Sequence, residues 1–230
     1  MSFPAWFHAL DLRLLYLINQ TWSGPWLDPV MARVSDFDSF RYPLAAAVVL
    51  TALFGEFRGR LLLVLMAACL LIGDGIIDWD FKMEVNRPRP NETEPHLRVV
   101  TVRGVTESVP REHVAKGRSF TSGHACNNVA LAMVGCAIFG RRAWWLWPWA
   151  ALVSYSRIYV GSHYPSDILG SWMVALFYSY FILKTAEWLW RTRAPGRFPR
   201  LYAEHPVLFP LWPKLLRGKV TAVASPHRVM

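Results

Sequence analysis

Five apolar stretches, each close to the roughly twenty residues that an α-helix needs to cross a bilayer, constrain this chain more than any other feature. They run approximately from Phe40 to Phe57, Leu61 to Asp80, Ser122 to Phe139, Ala143 to Val160 and Asp167 to Trp190. Hydrocarbon offers a backbone no hydrogen-bond partner, so spanning segments must satisfy their own amides and carbonyls, and apolar runs of this length do so as helices. Composition agrees, because 53% of the 230 residues are hydrophobic and only 18% are charged, too oily for an ordinary soluble domain and far from a disordered chain. Cys69, Cys126 and Cys136 all fall within the apolar runs, so they do not form a disulfide framework. The expected fold is all-α, an integral membrane helix bundle of about five transmembrane helices plus an N-terminal interfacial helix.

Three regions follow from this pattern. Residues 1–38 are expected to hold interfacial helices. The start of the chain has no positive region ahead of an apolar core, and the segment to Asn19 is broken by His8, Asp11 and Arg13, so it does not read as a signal peptide. Leu10, Leu14, Leu15, Leu17 and Ile18 form an apolar stripe at helical spacing, as in a helix lying in the membrane interface, and a second short helix is expected from about Pro25 to Val34. Residues 39–190 form the transmembrane core, interrupted by the loop 81–121, which is too long for a turn and so is expected to be functional. Residues 191–230 form a basic tail, with eight Lys or Arg against Glu204 alone, and carry most of the net charge of +9.

Arg58 and Arg60 join the first two spans, Arg141 and Arg142 join the third and fourth, and the basic tail follows the fifth. All three lie on one side, which the positive-inside bias makes cytoplasmic. Trp144, Trp145, Trp147 and Trp149 cluster at the inner end of span four, as interfacial aromatics do. The N-terminus, the long loop and the connection between spans four and five then face outward, so a site built from them is expected on the extracytoplasmic side. Basic charge directly after a span reads as a membrane feature, so no nucleic-acid partner is expected.

This topology brings three polar clusters to the outer face. The first contains Lys82, Arg87-Pro88 and Arg89-Pro90, a point charge and planar guanidinium forks suited to phosphate oxygens. In the second, Ser122-Gly123-His124, a glycine lets backbone approach a ligand, the first N–H groups of a helix attract an anion, and His124 stands close enough to protonate a leaving oxygen. The third runs from Ser156-Arg157 to His163 and Asp167, where a carboxylate four residues on is expected to orient the histidine and leave its other nitrogen as a nucleophile. His124, His163 and Asp167 are also potential metal ligands, but Lys82, Arg89 and Arg157 would repel a dication. No metal or other cofactor is expected.

In order and spacing, Lys82-x6-Arg89-Pro90, Ser122-Gly123-His124 and Ser156-Arg157-x5-His163-x3-Asp167 resemble the three-part signature of the type 2 phosphatidic acid phosphatase superfamily. The spacing selects Arg89 rather than Arg87 as the motif arginine, and Thr121 stands where the family usually has proline. The resemblance covers residues 82–167. It implies a metal-independent phosphatase in which His163 attacks phosphorus, His124 protonates the leaving group, Asp167 holds His163, and Lys82, Arg89, Arg157, Ser122 and Gly123 bind the phosphoryl oxygens.

A site opening at the outer leaflet suits a lipid phosphate or diphosphate. Undecaprenyl diphosphate, phosphatidylglycerol phosphate, phosphatidic acid and lipid A are candidates. Glu84, Glu92, Glu94, His96 and Arg98 lie in the loop placed to read a headgroup, and Asp74 and Asp78 are costly intramembrane carboxylates expected to face the bundle interior. Two rival readings use the same residues: a phosphotransferase that passes the group to another lipid, and a non-catalytic binder or transporter of anionic lipids. In a third reading the tail, with Leu208, Phe209, Leu211, Trp212, Leu215 and Leu216, is an interfacial anchor or docking element.

Overall fold

A computed structural model describes residues 5–112 and 118–209. The side chains of Asp74 and Asp78 and the tail beyond Phe209, on which expectations were placed above, lie outside the described part. Two short helices lead, α1 (Ala5–Tyr16) and α2 (Asp28–Ser35), followed by α3 (Arg41–Phe54) and α4 (Phe57–Cys69). A wider-wound stretch, Leu70–Asp78, carries α4 into α5 (Trp79–Val85), and one turn of helix, α6 (Pro90–Thr93), lies in the long loop. The rest of the bundle is α7 (Gly123–Phe139), α8 (Leu146–Tyr159), α9 (Pro165–Arg197) and α10 (Pro199–Glu204). A helix thus stands at each of the five expected spans, and three of these segments, Phe57–Thr93, Gly123–Ala143 and Pro165–Arg197, are long and apolar enough to cross a membrane.

Helix α7 is the axis of the bundle because its side chains are small. Ala125, Cys126, Val129, Ala130, Ala132, Val134, Gly135 and Ala137 are all buried, and they let α4, α8 and α9 approach closely, as small residues do between membrane helices. The core formed there joins Leu65 and Cys69 of α4 to Val129 and Ile138 of α7 and to Ala175, Tyr178 and Leu183 of α9. The opposite face of α9 exposes Leu169, Met173, Phe177 and Phe181, a stripe at four-residue spacing that bilayer would cover. Trp144 and Trp145 are exposed just before the start of α8, while Trp147 packs against Trp172 and Trp149 donates to Asn128.

Three features lie beyond the sequence reading. The inward face of α1 carries Asp11 and Leu15, followed one turn on by Asn19, all buried, whereas Leu10 and Leu14 point outward. Polar partners deeper in the fold, not the leucine stripe, set the rotation of α1. The long loop contains an antiparallel hairpin, β1 (Arg98–Thr101) with β2 (Gly104–Glu107), in the register Arg98 opposite Glu107. The tail begins as ordered structure: α9 runs on past Trp190 to Arg197, and the chain then folds back so that Trp190 donates to the His205 carbonyl and Leu208 to Glu187.

The first two helices are bound to the loop and to α8 by polar groups. Asn19 donates to the carbonyls of Arg98 and Tyr159 at 2.8 and 2.7 Å and accepts from the Arg98 N–H. Asp28 accepts from Arg98 and from the Tyr159 hydroxyl at 2.5 and 2.6 Å.

Close packing makes a size test available. A Cβ on Gly73 would lie 2.5 Å from the Tyr178 ring, a rigid group buried in the core. Gly73→Val is expected to cost about 1–3 kcal/mol by overpacking, read as a Tm several degrees lower in detergent.

Candidate active site

Four helix ends meet at one end of the bundle: the C-terminal ends of α5 and α8 and the N-termini of α7 and α9. Gly161, at φ +77°, turns the chain off α8, and Pro165 starts α9 after the extended Tyr164. His163 lies in that connection and is 3% exposed. Its Nδ1 is 2.7 Å from the Ser119 carbonyl oxygen. A carbonyl only accepts, so Nδ1 carries the proton and Nε2 keeps its lone pair.

Asp167 does not make that contact itself, in contrast to the direct hydrogen bond expected from sequence. Its Oδ2 stands 3.9 Å from His163 Nδ1. As the third residue of α9 it turns back to cap its own helix, accepting the Tyr164 N–H at 3.0 Å, and it also accepts the Ser119 hydroxyl at 2.5 Å. Asp167 therefore acts on His163 through Ser119. Its other oxygen, Oδ1, is 2.7 Å from Nη1 of Arg87, a buried guanidinium stacked 3.8 Å over the Tyr164 ring. The Arg87 carbonyl accepts the Ser119 N–H at 2.8 Å, which closes a ring of contacts around the segment that holds the imidazole.

The two arginines of the Arg-Pro pairs thus divide their work. Arg87 is committed to carboxylates, while Arg89, at the start of α6, acts on the histidine by charge. Burial is the first cause that pushes the His163 imidazole well below its ordinary range, and the positive charges of Arg157 and Arg89 push the same way, with His124 adding to them. Those three residues therefore lie near enough to act on His163 by charge. Lys82 is half-buried in the last turn of α5, beside Phe81, whose ring packs edge-on against Phe120 at 5.8 Å.

Arg157 is held from behind by α2. Its Nη1 donates to the Ser35 carbonyl at 2.9 Å and to the Ser35 hydroxyl, while its Nε is buried with no protein partner. Ser122, the residue before α7, is fully buried, and its Oγ also lacks a protein partner, although its N–H donates to Ser171 at 2.8 Å. Gly123 opens α7 and His124 follows in its first turn. Thr121 is fully buried just ahead of this start. Gly170 lets α9 lie against the segment, because a Cβ there would fall 2.4 Å from the Phe120 ring. Buried donors without partners cost about 1–3 kcal/mol each, and an oxyanion seated between α7 and Arg157 would satisfy them.

Several loop residues proposed as headgroup readers serve as framework. Glu94 accepts the Tyr164 hydroxyl at 2.8 Å, Glu92 accepts the Arg89 N–H at 3.1 Å, Arg98 is bound to Asp28, and His96 pairs with Glu107. Sequence reasoning did not pick out Ser119, Asp11, Ser35 or Ser166, and it passed over Arg87. A buried-type acid such as Asp11 within an apolar helix was the one visible signal.

The electrostatics give a pH prediction. Because burial and positive neighbours lower the imidazole's proton affinity, the neutral form that can attack persists well below pH 6.5. Removing one positive neighbour raises that affinity. Arg89→Ala is therefore expected to move the acid limb of a kcat/KM profile upward, towards the ordinary histidine value of 6.5, as well as lowering the plateau.

Comparison with known proteins agrees with this arrangement. A family model described as the PAP2 superfamily matches residues 59–191. The lipid A 4'-phosphatase of Porphyromonas gingivalis is 34% identical over 116 residues, covering 47% of this chain and 48% of that protein. The undecaprenyl-diphosphatase BcrC of Bacillus subtilis is 26% identical over 163 residues, covering 71% of this chain and 77% of that one. The chain thus spans about half the length of the first relative and a larger share of the second. Two solved structures share the fold: LpxE of Aquifex aeolicus, at 23% identity and a TM-score of 0.53, over 76% of this chain and 95% of that one, and a transmembrane PAP2-type phosphatidylglycerolphosphate phosphatase of Bacillus subtilis, at 20% identity and a TM-score of 0.57, over 83% and 90%. The matched family region is more than half of the chain and contains every motif residue from Lys82 to Asp167, so this chain belongs to the PAP2 superfamily.

Proposed function

We propose that this protein is a membrane-embedded, metal-independent phosphatase of lipid phosphates or diphosphates, acting through a phosphohistidine on His163. The observation that carries this reading is the tautomer of His163: with Nδ1 donating to the Ser119 carbonyl, Nε2 is left as a lone-pair nucleophile beside the charges of Arg89 and Arg157. Catalysis of phosphoryl transfer rests mainly on positioning and on charge aimed at the equatorial oxygens. Arg157, Arg89 and Lys82, with the Ser122 hydroxyl and the N–H groups that open α7, would supply it.

In the first step a bond forms from Nε2 to phosphorus as the bond to the leaving oxygen breaks, and that oxygen takes a proton from His124. In the second, His124 accepts a proton from water as the water oxygen attacks phosphorus and returns the electron pair to Nε2. Relatives named for lipid A and undecaprenyl diphosphate support a lipid-linked substrate whose tail stays in the bilayer. The positive-inside pattern of Arg58, Arg60, Arg141 and Arg142 supports a site on the outer face of a bacterial inner membrane.

The test is phosphate release in detergent, with EDTA present, from lipid A, undecaprenyl diphosphate, phosphatidylglycerol phosphate and phosphatidic acid. Wild type is expected to release phosphate from at least one of these and His163→Ala to lose turnover by about a thousandfold or more. Equal release by both proteins, or abolition by EDTA, would overturn the mechanism. Release only when an acceptor lipid is added would point to phosphotransfer.

A further inference from the structure

Asp11 lies on α1, far outside the region that matches the family, yet its carboxylate reaches the first turn of α9. It is 4% exposed. Oδ2 accepts from Arg87 Nη2 at 2.6 Å and from the Ser166 hydroxyl at 2.5 Å, and Oδ1 accepts the Ser166 N–H at 2.9 Å. Ser166 Oγ in turn accepts from Arg87 Nη1 at 2.8 Å, the same nitrogen that donates to Asp167 Oδ1. One guanidinium is thus stretched between two buried carboxylates, one on α1 and one in the first turn of α9.

Burying a carboxylate costs several kcal/mol, and packing alone does not call for it, because Leu15, one turn along α1, fills its site with an apolar side chain. The carboxylate is explained by what it does to Arg87. With Asp167 alone, the guanidinium would be free to pair with both oxygens of that carboxylate, the usual bidentate geometry. Held on its other side by Asp11, Arg87 meets Asp167 at Oδ1. Oδ2 is then left for the Ser119 hydroxyl, and Ser119 presents its carbonyl to His163 Nδ1.

We propose that Asp11 is a positioning residue for the proposed phosphoryl transfer, setting the tautomer and orientation of His163 through Arg87, Asp167 and Ser119. The proposal rests on the phosphatase reading above. It requires the N-terminal helix to be part of the working site.

The experiment compares full-length wild type, Asp11→Asn and Leu15→Ala in detergent, reading kcat, KM and Tm, together with the affinity for orthovanadate, which adopts the geometry of a transferring phosphoryl group when a nitrogen lone pair coordinates it. Asp11→Asn is expected to lower kcat by about 10- to 100-fold with KM changed by less than about threefold, because the groups that hold phosphate are untouched. Its vanadate affinity is expected to fall by about tenfold. Leu15→Ala is expected to lower Tm while kcat per folded molecule stays near wild type. Should Asp11→Asn not fold, Ser166→Ala removes only the bridging hydroxyl and carries the same direction of change in kcat and vanadate affinity.

A kcat and vanadate affinity within twofold of wild type in Asp11→Asn would overturn the proposal, as would an equal loss of kcat in Leu15→Ala. Absence of turnover in wild type with vanadate still bound would instead count against the phosphatase reading, and the vanadate comparison alone would then decide the role of Asp11.

Discussion

The buried pair of Arg87 and Asp167 is the contact on which the site depends. Breaking such a pair by removing one partner costs about 3–5 kcal/mol, because the remaining charge is left in a medium that cannot solvate it. That cost fixes several elements at once. Arg87 belongs to the segment after α5, Asp167 to the first turn of α9, and Ser119, which bonds to both, to the segment before α7. Three otherwise separate helix ends are thereby held in one register, and the imidazole is oriented by the same contacts.

A second constraint is the balance of charge. Arg89 and Arg157 add to burial in disfavouring a proton on His163, and the same charges would attract an anion beside it, so one arrangement both favours a neutral imidazole and suits the proposed phosphate substrate. Arg157 is kept in place by Ser35 from the side away from its unpartnered Nε. The polar cost is borne by the bundle, whose small-residue axis along α7 and apolar outer stripe on α9 supply the stabilising burial in a membrane setting.

Much of this was legible in the sequence because the relevant signals are local. The five apolar runs place the helices, and each motif is a short string at a helix end or across the junction between two consecutive helices. The groups that orient the site are not local: Ser119 and Asp167 are 48 residues apart, and Asp11 and Ser166 are 155 apart. No periodicity reports such a pairing. The buried face of α1 went unread for the same reason, since Leu10 and Leu14 of the apolar stripe point outward while Asp11 and Asn19 find buried partners. The hairpin did leave a local trace, the β-branched run Val99-Val100-Thr101-Val102 before Arg103-Gly104, which the loop's length obscured.

The central claim is that His163 carries the phosphoryl group. The direct measurement is to stop the reaction with substrate labelled in its phosphate, keep the protein at alkaline pH, where a phosphorus–nitrogen bond on histidine survives, and map the label by peptide mass spectrometry. The account predicts label on the peptide containing His163 and none in His163→Ala. Turnover with no label on the chain, or label on another residue in both proteins, would contradict it.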